Sequence, residues 1–183
     1  DDVKAARKAM MQFITLNHPA DCGVCDKAGE CTLQDYHFAY NGAPSISAEP
    51  KVRATKFHPL GDRILLDDER CILCSRCVRF THEVSRTKAL GILGRGDASL
   101  VRCEEGRTFD DPYSDNIVDL CPVGALLSRS SLYKARVWFL EATPSVCPGC
   151  ARGCAIRIWR RRADWRVQRL DPRHNRDIAR VTP

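Results

Sequence analysis

The sequence predicts an α+β fold of short helices and short strands strung between cysteine-rich loops. Three observations carry this. Ten of the eleven cysteines fall in tight groups or directly before a proline. Each stretch of apolar periodicity is interrupted after a few turns or a few strand residues by Gly, Pro or Asn. Helix-period and strand-like segments alternate along the chain, with no internal repeat and no low-complexity tract.

The elements follow in order. Val3, Ala6, Met10 and Phe13 recur at helical spacing, with Lys4, Arg7 and Lys8 elsewhere, which predicts an amphipathic helix ending near Asn17, before Pro19. Residues 30–40 read as a short helix stopped by Asn41-Gly42 and Pro44. Residues 41–62 read as loop, and 63–66 as a strand. Asp67 or Asp68 caps a turn leading into Cys71, and 78–84 is helical. Residues 90–93 and 99–103 are short strands around Gly94 and Gly96. Ser114 caps a helix over 115–120 that ends at Cys121-Pro122. Residues 137–140 read as a strand, and 156–159 with 165–170 as a hairpin around a polar break.

Composition bounds the function. Cysteines two residues apart are poorly placed to bridge each other but suit a shared metal centre. The cysteine count is odd and no signal peptide precedes the chain, so a reducing compartment is expected. No apolar run approaches the roughly 18 residues of a membrane span. A start at Asp1 rather than Met is read as a processed or excised piece. Charge is uneven: 16 Lys/Arg against 19 Asp/Glu up to residue 120, then 13 against 4. That asymmetry points to two modules, or to a basic tail that docks on an acidic surface.

The strongest motif is Cys71, Cys74 and Cys77, a C-x2-C-x2-C run of the kind that wraps three corners of a [4Fe–4S] cube. Its short spacers let backbone amides turn toward the sulfurs and stabilise their negative charge. In two-cluster ferredoxins a further Cys-Pro follows three residues on; here that position is Thr81, followed by His82. The run therefore serves one cluster, and its fourth ligand must be remote. Cys121-Pro122 has the required form, since proline redirects the chain away from the centre. The competing reading is structural zinc, which usually pairs two C-x2–4-C elements.

Cys22, Cys25 and Cys31 leave one metal corner open, and His18 stands four positions ahead of them. On spacing alone, His18 is either a ligand or a solvated loop residue, and zinc with Cys3His ligation fits almost as well as iron. With iron, imidazole in place of thiolate removes one negative charge and favours the reduced state.

The segments HPADCGVCDKAGECTLQD, RCILCSRCVRFTHEVS, GRGDAS, NIVDLCPVGAL and KARVWFLEATPSVCPGC stand in order along the chain. Together they resemble the large iron–sulfur subunit of the peripheral arm of NADH:quinone oxidoreductase, respiratory complex I. The resemblance implies a ferredoxin-like, irregular α+β fold. It implies one [4Fe–4S] cluster on His18, Cys22, Cys25 and Cys31, and a second on Cys71, Cys74, Cys77 and Cys121. Cys147, Cys150 and Cys154 lie in VCPGCARGC, which resembles the cluster-binding start of molybdopterin oxidoreductases, a small β-rich module. No cysteine follows Cys154, and nothing in its spacing recommends His174. A third cluster there is left open against a vestigial site or another metal.

The resemblance implies three modules, at 1–62, 63–141 and 142–183. It implies an electron-transfer role without substrate chemistry in this chain, relaying electrons from an NADH/flavin subunit toward quinone. Its partners would be other peripheral-arm subunits, with no nucleic acid and with membrane contact only through the complex. Its place would be the cytoplasmic face of a bacterial inner membrane or the mitochondrial matrix side. The family's [2Fe–2S] domain and its large C-terminal domain have no counterpart in this sequence. The alternatives are the relay of a molybdenum formate dehydrogenase or iron hydrogenase, against which Thr81 argues, and a zinc-binding interaction module.

Other residues take plainer readings. Cys103 reads as a buried apolar thiol, and His37, His58 and His82 as surface or satisfied structural histidines. Asp62, Asp67, Asp68 and Glu69 read as a solvated turn. Trp138, Trp159 and Trp165 read as hairpin packing, and the run RIWRRRADWR as a solvated or docking face rather than a nucleic-acid site.

Overall fold

The computed structural model describes residues 2–173. It divides into two compact units, Asp1–Ser130 and Ser131–Pro183. Both are mixed or β-rich, with small sheets and much irregular chain, so the expected α+β class holds.

The first unit opens with helix α1, Asp2–Thr15. The last turn of α1 has no basic residue, and Lys51 supplies one: its Nζ donates to the carbonyls of Thr15 (3.0 Å) and Leu16 (2.7 Å). The packed stripe differs from the one expected. Val3, Met10 and Phe13 are exposed, whereas Met11 is buried and Ile14 packs on the core. Arg7 shares that side and stacks over Tyr40 at 5.2 Å. Two overlapping apolar spacings compete on α1, and the neighbouring chain selects the second.

A 3-10 turn, Cys22–Val24, leads to α2, Thr32–Tyr36, which continues as a π turn, His37–Asn41. The helix begins after Cys31 because that residue is extended, and Gly42 closes it in the left-handed region at φ 54°. Within the expected loop lies a two-residue strand, β1, His58–Pro59. It pairs with β2, Ile64–Leu66, which pairs in turn with β5, Leu126–Ser128. Both pairings are antiparallel, and β5 escaped sequence reading because it is a three-residue strand without alternation.

Between β2 and β5 the chain forms α3, Arg76–Glu83, the hairpin of β3, Leu90–Leu93, and β4, Leu100–Cys103, and then α4, Asn116–Leu120. Ser114 is buried and meets α4 through its carbonyl, which accepts from the Ile117 amide at 3.3 Å. No side-chain cap forms there. The core of this unit gathers Ile64, Leu66, Leu90, Val101, Phe109, Ile117 and Val123, all at most 2% exposed.

The second unit contains one antiparallel sheet in the order β6-β7-β8: Leu140–Val146, Ala155–Arg161 and Val167–Pro172. The strand expected over 137–140 is instead a 3-10 turn, Val137–Phe139, and β6 starts only at Leu140. The predicted hairpin is β7-β8. Its basic residues are held on its own aromatics: Arg157 and Arg169 lie over Trp159 at 5.5 and 4.8 Å, and Arg160 over Trp165 at 3.9 Å. Arg157 also faces Asp171 across the strands, with contacts of 2.8 and 2.7 Å. Among the described residues, no helix is long and apolar enough to cross a membrane.

Ile117→Ala is expected to lower the unfolding free energy of the first unit by about 2–5 kcal/mol. Trp138→Ala, which removes a half-exposed side chain, should change stability far less. Urea unfolding of both variants checks this.

Candidate metal centres

Strand pairing assembles the second cysteine group. The chain leaves β2 at Leu66, turns through Asp67, Asp68, Glu69 and Arg70, and reaches Cys71. It enters β5 at Leu126 from Cys121, Pro122, Val123, Gly124 and Ala125. Leu66 pairs with Leu126, and the Asp67 amide donates to the Ala125 carbonyl at 2.8 Å. Both approaches therefore arrive at one place. Cys71, Cys74, Cys77 and Cys121 line a single cavity walled by Leu66, Ile72, Val101, Val123, Ala125 and Leu126.

The loop between these cysteines presents donors to sulfur. The Leu73 amide donates to Cys71 Sγ at 3.4 Å, and the Val78 amide reaches Cys77. Leu73 and Ser75 hold φ of 52° and 59°, which turns successive amides inward at a backbone cost of roughly 1–2 kcal/mol for each residue. Burial pushes the Cys71 thiol up to about 11 and the Cys77 thiol up to about 12, and the neighbouring cysteines add to both. A metal that binds here must displace protons and supply the charge that makes these thiolates stable.

The first group shares the burial and the amide donors, although Cys25 does not line the cavity that His18, Cys22 and Cys31 share. Cys25 and Cys31 are buried, and burial raises both thiols. The Lys27 amide points at Cys25, and those of Leu33 and Gln34 at Cys31. His18, Cys22 and Cys31 line one cavity with Leu33, Phe38 and Lys51. Burial lowers the His18 pKa to about 4, with Asp21 opposing and Lys51, Arg70 and Lys56 assisting. The ring is thus neutral near pH 7, the form that ligates a metal, and its buried Nδ1 has no hydrogen-bond partner.

These features suit a thiolate-bound group at each place. The four cysteines of the second group share a cavity, amides aim at sulfurs in both groups, and a neutral imidazole stands beside the first with an orphaned nitrogen. No three of the described His, Cys, Asp and Glu side chains converge closely enough to hold a single ion.

Cys147, Cys150 and Cys154 occupy the loop joining β6 to β7. The Cys147 amide donates to the Cys154 carbonyl at 2.8 Å, closing the loop, while Cys150 is exposed. His174 lies outside the described residues. Cys103 is half-buried, packs against the core and donates its thiol to the Leu60 carbonyl at 3.8 Å. Thr81 is fully buried, and its hydroxyl donates to the Val78 carbonyl at 2.8 Å.

The acidic turn differs from the solvated turn expected of it. Only Asp62 is exposed; Asp67 and Asp68 are buried, and the Glu69 side chain is 5% exposed. Asp68 receives both Nη atoms of Arg102 at 2.7 Å. Lys56 meets Asp21, Asp67 and Glu69 at 3.2, 3.3 and 2.7 Å. Burial alone would raise Asp21, but Arg70 and Lys56 hold it below the usual carboxylate range. The charged run Asp67-Asp68-Glu69-Arg70 looks like an exposed turn in sequence; only its partners from residues 21, 56 and 102 show otherwise.

The residues 121–124 also touch the first group. Cys31 Sγ lies 3.6 Å from the Pro122 carbonyl oxygen. A Cβ placed on Gly124 would stand 2.3 Å from Cys25 Sγ and 3.2 Å from Lys27 Cβ. The segment that delivers Cys121 to one centre is thus a wall of the other, and Gly124 is required by that close approach.

Residues 61–127 match the family model described as NADH-quinone oxidoreductase subunit 3, ferredoxin-like domain. Residues 7–43 match the NADH-ubiquinone oxidoreductase-G iron-sulfur binding region. The G subunit of NADH-quinone oxidoreductase from Rickettsia felis is 40% identical over 176 residues, 96% of this chain and 26% of that protein. Its counterpart in Streptomyces coelicolor is 39% identical over 157 residues, 86% of this chain and 19% of that protein. The mitochondrial NADH dehydrogenase [ubiquinone] iron-sulfur protein 1 of Solanum tuberosum is 41% identical over 175 residues, 96% of this chain and 23% of that one. The chain therefore spans between 19% and 26% of the length of these curated relatives. Among solved structures, a chain of an NAD+-reducing [NiFe]-hydrogenase in the H2-reduced state superposes with a TM-score of 0.63 at 27% identity, covering 75% of this chain and 59% of that one.

Gly124→Ala is expected to displace Cys25 and reduce metal loading at the first group while leaving the second loaded, as read by metal content per chain. The His18 shift gives a pH dependence for the metal-free chain. Between the unfolded value near 6.5 and the folded value near 4, the unfolded state binds more protons. Stability should fall as pH drops through that window, and His18→Gln should flatten this part of the curve in pH-dependent unfolding.

Proposed function

We infer that this chain, which belongs to the iron–sulfur G-subunit family of NADH-quinone oxidoreductase, binds two [4Fe–4S] clusters and relays electrons from an NADH/flavin subunit toward quinone. The observation that carries this reading is the shared cavity of Cys71, Cys74, Cys77 and Cys121, with residues 121–124 lying against Cys25 and Cys31. Bound clusters would supply reversible one-electron chemistry.

The chain's own residues bind and tune. Cys71, Cys74, Cys77 and Cys121 would hold one cube, and His18, Cys22, Cys25 and Cys31 the other. Amides of Lys27, Leu33, Gln34, Leu73 and Val78 would offset thiolate charge. The apolar wall of Leu66, Val101, Val123 and Leu126 would exclude water from the second centre. Neutral His18 would bind without adding negative charge. Four thiolates on one zinc ion, each at about 2.3 Å, would converge on a point. Ligands placed on separate iron corners would stand further apart, and metal analysis distinguishes the two.

The partners in this reading are the other peripheral-arm subunits, and the place is the cytoplasmic or matrix face of the membrane. Each of the two cluster-bearing stretches, 1–62 and 63–141, would contribute one relay station. The loop at Cys147, Cys150 and Cys154, in the stretch 142–183, would take a third cluster only with a ligand from elsewhere.

The similarity to a hydrogenase chain favours one second reading, a relay serving hydrogen oxidation. Thr81 separates this chain from relatives with interlocked cubes: its hydroxyl is buried and already bonded, where a cysteine would be needed.

Anaerobic reconstitution followed by iron and sulfide analysis and low-temperature EPR tests the proposal. Two cubes require about eight iron and eight sulfide per chain. Cys121→Ala should remove about half, and His18→Cys should keep both clusters while lowering the potential of one. Colourless zinc-loaded protein, or loss of neither cluster in Cys121→Ala, would overturn it.

A further inference from the structure

Among the described residues Arg70 is the largest fully buried side chain, with 1% exposure, and it stands directly before Cys71. Its Nε and Nη2 grip Asp21, beside Cys22, at distances of 3.2, 3.1 and 2.7 Å. Its Nε also lies 3.2 Å from Asp67. The remaining nitrogen, Nη1, is buried with no hydrogen-bond partner. An unmet donor on a buried cation is costly in an apolar setting, so its retention calls for an acceptor. The place where a Gly124 Cβ would stand is 2.3 Å from Cys25 Sγ and 3.6 Å from Arg70 Cδ. The Arg70 side chain and the Cys25 sulfur thus flank the same glycine, which brings the base of the arginine fork to the first cysteine group.

We propose that Arg70 is a positioning residue for the first centre, its Nη1–H donating to a sulfur of the iron–sulfur group on His18, Cys22, Cys25 and Cys31 and raising that group's reduction potential. The proposal rests on the iron–sulfur reading above. Asp21 and Asp67 fix the fork so that the Nη1–H is held in place before any metal arrives. A cation and a hydrogen bond at sulfur both favour the more negative, reduced state. The same guanidinium ties the Cys22 loop, through Asp21, to the residue that begins the second motif. The two centres therefore share a charged brace as well as the wall at residues 121–124.

The test uses the whole chain, reconstituted anaerobically with iron and sulfide and labelled with guanidino-15N arginine. Pulsed EPR of the reduced wild-type chain should show 15N coupling to one centre, and Arg70→Lys should abolish it while retaining that centre. Redox titration of Arg70→Gln should show the first centre shifted to lower potential and the second shifted less, with Arg70→Lys in between. If Arg70→Gln fails to load, the wild-type 15N measurement decides alone. Cluster signals without 15N coupling, or an unshifted first centre in loaded Arg70→Gln, would sink the proposal while sparing the iron–sulfur reading. Absence of any cluster signal in the wild-type chain overturns both.

Discussion

The antiparallel contact between β2 and β5 is the constraint on which the first unit depends. It is small, three residue pairs from Ile64–Ser128 to Leu66–Leu126, yet it joins segments about sixty residues apart. Its side chains, Ile64, Leu66 and Leu126, are buried in the unit's apolar core. Its continuation, from the Asp67 amide to the Ala125 carbonyl, brings the end of one strand to the beginning of the other. Everything that makes a four-cysteine cavity from a triplet and a distant Cys-Pro follows from that register. A slip of one residue would send alternate side chains to the wrong face and carry Cys121 away.

Around this contact lies a largely buried electrostatic lattice, with Lys56 at its solvent edge. Lys56 and Arg70 serve three carboxylates, Asp21, Asp67 and Glu69, with Arg53 also reaching Glu69, while Arg102 serves Asp68. Buried charges of this kind add little net stability, because desolvation offsets attraction. Their geometry does something else: each joins a different stretch of chain. Asp21 belongs to the first cysteine loop, Arg70 to the approach to the second, and Lys56 to the segment between them. Loops this irregular have few backbone ladders to hold them, and directional ion pairs replace those ladders.

Several features were legible in the residues alone. The three cysteine groups came from spacing, and the pairing of Cys121 with the distant triplet, with which it lines one cavity, from Cys-Pro chemistry. Helix α1, helix α3, the strands β3 and β4 and the β7-β8 hairpin came from periodicity and turn residues. Other features were hidden for stated reasons. Strands β1 and β5 are too short to show a period. The buried side of α1 was one of two apolar stripes, and only contact with its neighbours chooses between them. Asp67 and Asp68 look like surface because their counter-ions Lys56 and Arg102 lie well away in sequence.

The sequence by itself determined the donor chemistry on offer: soft sulfur donors in fixed local spacings, a histidine beside the first of them, and Pro and Gly where the chain must turn or come close. Local covalent distance is enough for that, since residues two apart cannot separate. Only the tertiary structure decided which distant groups meet. It placed Cys121 with Cys71, laid Gly124 against Cys25, and buried Arg70 between the two loops. Those contacts depend on strand register and on the burial of charge among partners scattered along the chain, and no local pattern encodes either.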